Sequence, residues 1–478
     1  MAEHQLTKIR PLGKLEQISA AAHHIDFFTN TGLSVHYTAP DPSIVRDLEQ
    51  TVYNALAQVV RLHPVLFAVP VVADTKEPHW GRLPFIDLKQ AVSIVQRSRP
   101  PDTDGDGTDG ELDELLGDQH NTSFKAGYGT RPVWRLVILQ DYGTMHQFTA
   151  CFIAHHSMTD GTGLQIFHNS FQKALCEVSS GPLTSRVEHI IFSRDDPIAP
   201  SLEQLHPLPI PANPPKLDVT VPNEWTGSPV ELPCRTRYAS LSLPPHAMNH
   251  FTQECRRHKV APAAALPSLV ARLLYSNLPT TTESLTCNIP VSLRSDLPPK
   301  SVNGVLGNFI DAFKVKLLRS DLDVQDIGDR KIADSSTLSS YMGTWNHARK
   351  IQEATRNYFS NVSPSGEPYA NVAFFKLIPD IAAALTATIG KPRGESFEVS
   401  NLGSFSKPTN LNDVGPIARW KSGKVLCSRC AYAAGGPLVI CVLSGDENIG
   451  FGVSWQEGSI ADDVVENIIE GLKMYLQL

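Results

Sequence analysis

The stretch "CFIAHHSMTDGTG", residues 151–163, carries an apolar run, then His155 and His156, then Asp160 and Gly161. A neutral imidazole suits general-base work, because its ordinary pKa of ~6.5 lies near working pH. Neighbouring residues at a strand end face opposite ways, so the two histidines are expected to have separate tasks. Gly161 permits a tight turn that a side chain would obstruct. On residues alone, two other readings stand beside general-base chemistry. One is a structural pair capping a strand next to an Asp helix cap. The other is a metal site using His156 and Asp160, which lacks an evident third ligand nearby. A second pair, His23 and His24 in "AAHHIDFF", has no Gly after its Asp.

The elements around the motif set its geometry. "PVWRLVILQ" and "HQFTACFIA" read as strands joined by a turn at "DYGTM". Leu164, Phe167, Phe171 and Leu175 then form one apolar stripe of a helix. The order strand, histidines, turn, Asp-Gly, helix holds side chains rigidly beside a cleft. Upstream, "SIVRDLEQTVYNALAQVVRLHP" reads as a helix with Ser43 as its cap and Val45, Leu48, Val52, Ala55 and Val59 on one face. Residues 197–233 hold ten prolines. Proline fixes φ and removes a donor, so an ordered but irregular connector is expected there. It divides the chain into lobes at 1–196 and 234–478. The second lobe reads as strands at "RYASLSL", "LTCNIPVSL", "NFIDAFKVKLL", "FEVSN", "PLVICVLS" and "GFGVSW". Helices are read at "PHAMNHFTQECRRHK", at "AAALPSLVARLLYS" and in the closing "ADDVVENIIEGLKMYLQL". That last helix is expected to pack on the second lobe, because its polar face is acidic.

A chain of 478 residues with 41% hydrophobic and 19% charged residues can bury a large core. Its net charge of −7 favours neither nucleic acid nor an anionic membrane. No apolar signal core or spanning run is visible, so a cytoplasmic enzyme is the expectation. Eight cysteines are too sparse for a disulfide framework. Cys427 and Cys430 form one C-x-x-C without a second ligand pair, and they read as reduced core residues facing opposite ways. The run "DTDGDGTDGELD", Asp102 to Asp113, imitates a calcium loop. Its twelfth position is Asp where Glu usually reaches the ion, and two prolines replace the entering helix. It reads as a solvated loop.

"HHSMTDG" resembles the H-H-x-x-x-D-G signature of the chloramphenicol acetyltransferase-like superfamily. That superfamily includes condensation domains, BAHD acyltransferases, carnitine acyltransferases and fungal alcohol acetyltransferases. The ordered segments "RPLGKLEQISAAAHHIDFF", "RLHPVL", "PVWRLVIL", "VSLRSDLPP", "GVLGNFIDAF" and "VSNLGSF" extend the resemblance along nearly the whole chain, closest to the fungal alcohol acetyltransferases. It implies an α/β (α+β) fold of two lobes, each a mixed sheet flanked by helices, with the site in a tunnel between them. It assigns the base to His156, with Asp160 and Gly161 in the catalytic motif. His155 and Arg294 become structural supports, Arg294 as the partner of Asp160. His23-His24 falls in the first-strand region as a structural or tunnel-lining pair.

The implied activity is transfer of an acyl group, acetyl by preference, from a CoA thioester to a hydroxyl of a small secondary-metabolite acceptor. No acyl-enzyme, metal or tightly bound cofactor is implied. Oxyanion or substrate contacts would come from Ser400, Asn401, Asn308 or the backbone near Gly161. The expected partners are acyl-CoA and the acceptor, with the chain as a monomer. Alternatives are release of a chain from an acyl carrier protein, and a cyclase-like or binding relative that keeps the motif.

Overall fold

The computed structural model describes residues 6–39, 41–45, 47–72, 77–100, 107–180, 187–212, 223–322, 345–405 and 419–477. The first lobe contains helix α1 (Lys14–His24), strand β1 (Thr31–Thr38), helix α2 (Leu48–Leu62), strand β2 (Val92–Gln96) and helix α3 (Gly110–Asn121). Strands β3 (Trp134–Gln140) and β4 (Gln147–Ala154) and helix α4 (Gly161–Ser180) follow. Beyond the connector come β5 (Thr236–Leu243), α5 (Asn249–Arg257), α6 (Pro262–Asn277), β6 (Ser284–Ser292), β7 (Ile310–Leu318) and α7 (Trp345–Ser360). The chain ends with β8 (Phe397–Ser404), β9 (Lys421–Arg429), β10 (Leu438–Ser444), β11 (Ile449–Gln456) and α8 (Asp462–Leu476).

Two mixed sheets organise these elements. The first runs β9-β1-β4-β3-β2, and the second runs β5-β11-β10-β8-β6-β7. In the first sheet only β2 and β3 pair in parallel. In the second, β8 is parallel to both of its neighbours. Strand β9, late in the chain, is the edge strand of the first sheet. Its register runs Arg429 to Thr31 of β1, and Thr31 to Ala154 of β4. The helices cover the outer faces. The stripe Leu164, Phe167, Phe171 and Leu175 of α4 is fully buried in the first core. Val465, Ile468 and Leu472 of α8 enter the second core with α6. Val439, Cys441 and Leu443 of β10 join the first core rather than the second, so the sheets share buried apolar surface. That burial contributes about 25 cal/mol per Å² and holds the lobes together.

Three local readings change. The cap of α2 is Asp47, whose carboxylate accepts from the Gln50 amide at 3.0 Å, and not Ser43. Ser43 belongs to a separate single turn, Pro42–Ile44, capped by Asp41. A charged acceptor one turn later took over the helix start. The acidic run is also less open than a solvated loop. Asp102, Asp104 and Asp106 lie outside the described residues. Asp109 caps α3 and pairs with Arg97 at 2.8 Å, and Asp113 lies on α3 and accepts from the Ser240 amide at 2.9 Å. "PHAMNHFTQECRRHK" divides into a 3₁₀ turn, Pro245–Met248, and the shorter α5.

All eight cysteines are free. Cys430 accepts the Thr29 and Asn30 amides at 3.0 and 3.3 Å. Among the described residues, no group of three or more His, Cys, Asp or Glu is arranged to hold a metal. No described helix is long and apolar enough to cross a membrane.

Candidate active site

Strand β4 ends at Ala154, and the chain turns through His156–Met158 before α4 begins. His155 points back into the first lobe and is buried. Its Nδ1 accepts the Ser157 amide at 3.1 Å and the Ser157 hydroxyl at 2.8 Å. Its ring lies 4.6 Å from that of His23. His23 in turn contacts the Tyr128 hydroxyl through Nδ1 at 2.8 Å and accepts the Phe124 amide through Nε2 at 3.3 Å. Burial drives His155 well below the ordinary histidine pKa and lowers His23 to about 3. Both rings are neutral packing groups behind the motif. His24 is exposed.

His156 faces the other way and stays partly exposed. The Phe28 ring lies 5.7 Å from it, and Tyr432 meets Phe28 edge-on at 5.9 Å. Burial lowers the His156 pKa, and the Arg429 charge lowers it further. Its own carbonyl, Asp160 and the Thr159 carbonyl oppose that shift. Its buried Nδ1 has no hydrogen-bond partner among the described residues. The backbone beneath the ring is fixed from the second lobe, where Asn308 Nδ2 donates to the His156 carbonyl at 2.8 Å.

Asp160 is buried. Its Oδ1 accepts the Gly163 amide at 2.7 Å, which caps α4. Its Oδ2 accepts the Phe309 amide at 3.0 Å. Arg294 Nη2 reaches both carboxylate oxygens, at 3.1 and 3.3 Å. Asp160 is 1% exposed and Arg294 10%, so the pair is shielded from water. Arg294 also donates to the carbonyls of Val302, Val305 and Gly307, and lies over the Phe309 ring at 4.9 Å. One side chain thus holds the second-lobe loop and the first-lobe motif together.

Gly161 is required for a reason other than a turn. A Cβ there would stand 2.6 Å from Leu402 Cδ2 on β8, so the glycine lets the start of α4 approach the second lobe. Gly163, which the sequence reading passed over, is tighter still: its Cβ would meet Thr159 Oγ1 at 2.1 Å. Ser400 is half-buried on β8. Asn401 is exposed, and its Oδ1 accepts the Gly403 amide at 2.9 Å. With Gly403, Ser404, Asn249, Thr252 and Ser444 it borders a 280 Å³ pocket between α5, α6 and the ends of β8 and β10.

The structure therefore brings His155, His156, Asp160, Gly161, Asn308 and Arg294 to one junction between the lobes. Asn308 spends its amide on a backbone carbonyl. The sequence alone gives no sign that Phe28, Tyr128, Ser157 and Arg429 surround the motif. Phe28 stands four residues past His24 in "HHIDFF", and Arg429 inside the C-x-x-C, where the cysteines drew attention instead.

Two mixed sheets with a histidine motif at their junction define the class: a two-lobed chloramphenicol acetyltransferase-like fold. The trichothecene 15-O-acetyltransferase TRI3 of Fusarium sporotrichioides superposes with a TM-score of 0.68 at 10% identity, covering 100% of this chain and 98% of that one. The first condensation domain of the CDA synthetase gives 0.59 at 11% identity, over 98% and 96%. The alcohol acetyltransferase family model matches residues 106–257. The probable alcohol acetyltransferase crmB of Aspergillus fumigatus is 42% identical over 97% of this chain and 98% of its own length. The probable alcohol acetyltransferase FCK4 of Fusarium pseudograminearum is 22% identical over 98% and 94%. The chain belongs to the alcohol acetyltransferase family.

Proposed function

We propose that this protein transfers an acyl group, acetyl in the first instance, from a CoA thioester to a hydroxyl of a small acceptor, with His156 as the base. The observation that carries this reading is the orientation of the motif. Of the motif's polar side chains His156 alone keeps partial exposure, while His155 and Asp160 are buried and hydrogen-bonded behind it. His156 Nε2 takes the hydroxyl proton as the oxygen attacks the thioester carbonyl carbon. The tetrahedral oxyanion collapses, the C–S bond breaks, and the imidazolium returns the proton to the departing thiolate. A positioned base of this kind contributes ~10²–10⁴-fold. Holding both substrates together supplies much of the remainder, so no acyl-enzyme is needed. Ser400 on β8 and Asn401, which borders the pocket, are the candidate side chains for the oxyanion. The acetyl donor follows the family and the name of the crmB relative.

The test is thiol release from acetyl-CoA in the presence of a panel of hydroxylated small molecules, with the acetylated product identified by mass. Acceptor-dependent release that His156→Ala abolishes supports the reading. Equal release by the wild type and the variant, or a product formed without thioester, rejects it.

A further inference from the structure

Arg429 closes β9 beside the motif. The register Arg429–Thr31–Ala154 sets it two strands from the end of β4, where His156 follows Ala154 by two residues. Its guanidinium lies 5.6 Å from the centre of the Phe28 ring, which itself stands 5.7 Å from the His156 ring. The neighbouring Cys430 ties the segment after Phe28 to the same strand through the Thr29 and Asn30 amides. Glu398 of β8 holds Arg429 from the second lobe, and Asn288 Nδ2 donates to Glu398 at 2.9 Å. Arg429 is 14% and Glu398 6% exposed, so water screens this charge poorly. Arg429 Nε is buried and makes no hydrogen bond among the described residues.

We propose that Arg429, laid across Phe28 and clamped by Glu398, is a positioning residue that keeps the His156 imidazole in its unprotonated, proton-accepting form. The proposal rests on the reading of His156 as the base. A cation near an imidazole disfavours the imidazolium, and the effect is large where water is excluded. From the start of α4, Asp160 favours the imidazolium, but Arg294 of the second lobe is bound to that carboxylate. His155, adjacent in the chain, is neutral and turned into the first lobe. Glu398 on β8 stands behind Arg429, in contact with it. The α1–β1 connection presents the uncharged Phe28 ring. Among the described residues Arg429 is thus the cation disposed to set the protonation state of His156, and its field is consistent with the lowered affinity of that ring for a proton.

The experiment follows His156 itself and the reaction separately. The full chain is labelled with ¹³Cε1-histidine, the His156 resonance is assigned by its loss in His156→Ala, and its midpoint is read in a pH titration. Three variants are compared: Arg429→Gln, Arg429→Lys, and the double variant Arg429→Gln/Glu398→Gln, which leaves no orphaned carboxylate if the single change fails to fold. The midpoint moves to higher pH in both variants lacking the cation and stays near the wild type in Arg429→Lys. The acidic limb of kcat/KM moves with it, so the loss of rate is greatest at low pH and narrows as pH rises. An unmoved His156 midpoint overturns the proposal, as does a Lys variant that shifts as far as Gln. A midpoint that moves while the rate profile does not leaves Arg429's role intact and rejects His156 as the base.

Discussion

Removing either side of the Asp160–Arg294 pair should be expensive, and the two losses should overlap. Asp160→Ala deletes the α4 cap, worth ~1 kcal/mol, and orphans the buried Phe309 amide, at ~1–3 kcal/mol. It also strips Arg294 of its counter-charge, although three carbonyls still accept from that guanidinium. Arg294→Ala leaves a carboxylate that is 1% exposed with two amide donors and no cation. Breaking a buried pair from one side costs ~3–5 kcal/mol, so each variant should lose about that much. The double variant should then lose ~2–3 kcal/mol less than the sum. Asp160→Asn separates the parts, because it can keep the cap while removing the charge, and it should cost less than Asp160→Ala. Equilibrium urea unfolding at neutral pH, followed by tryptophan fluorescence and far-UV circular dichroism, measures all four. Additivity within ~0.5 kcal/mol would mean that the two residues act independently, and the account of one joint fastening both lobes would fail.

Other expectations follow from the same structure. His156→Ala should lose ~10²–10⁴-fold in turnover with an unchanged melting temperature, whereas His155→Ala should lose stability as well; near-normal rates in His156→Ala refute the base assignment. Gly161→Ala should cost ~1–3 kcal/mol by pressing on Leu402, and Leu402→Ala in the same chain should recover part of it; a neutral Gly161→Ala shows that β8 gives way freely. Buried His23, His120 and His168 each hold pKa values lowered to about 3, chiefly by burial. The unfolded chain therefore binds more protons below ~6.5, and stability falls as pH drops. Between pH 7 and 5 each should cost about 2 kcal/mol, and Asp113, raised to about 6, should return about 1 kcal/mol. Urea midpoints that do not fall over that interval contradict the neutral burial of these rings. Calorimetry with calcium should show no micromolar binding, since Asp109 and Asp113 already serve Arg97 and the Ser240 amide.

The elements flanking the motif were readable because they are local. The apolar stripe of α4 repeats at helical spacing, and β3 and β4 are continuous apolar runs bounded by a turn. Arg294 was reached through resemblance; no spacing rule links residues 134 positions apart. Contacts that depend on the closed fold were invisible. The tilted ring contact of His23 with His155 and the approach of Phe28 to His156 each join segments that only the fold brings together. Lys421–Arg429 was missing from the strands read in the sequence. Its Lys, Ser and Gly give no strong alternation, and it is held by pairing with β1 rather than by its own preference. The choice between Ser43 and Asp47 failed for a related reason: both are good caps, and only the course of the chain decides which one meets the helix.

That late strand has a consequence for how the protein is made. Thr31 pairs with Arg429, so the first sheet waits for nearly four hundred residues before its edge is filled. On the ribosome, at ~5–20 residues per second, β1 would present an unsatisfied edge for tens of seconds after it emerged. Open edges recruit other strands, and pairing across so long a separation is slow. The N-terminal half produced alone should therefore be poorly soluble, and co-expression with the C-terminal half should rescue it. The same threading makes the two lobes unsuitable for recombination as interchangeable modules. A chimera joined in the proline-rich connector would give the first sheet an edge strand from another parent, and with it the residue that packs on Phe28.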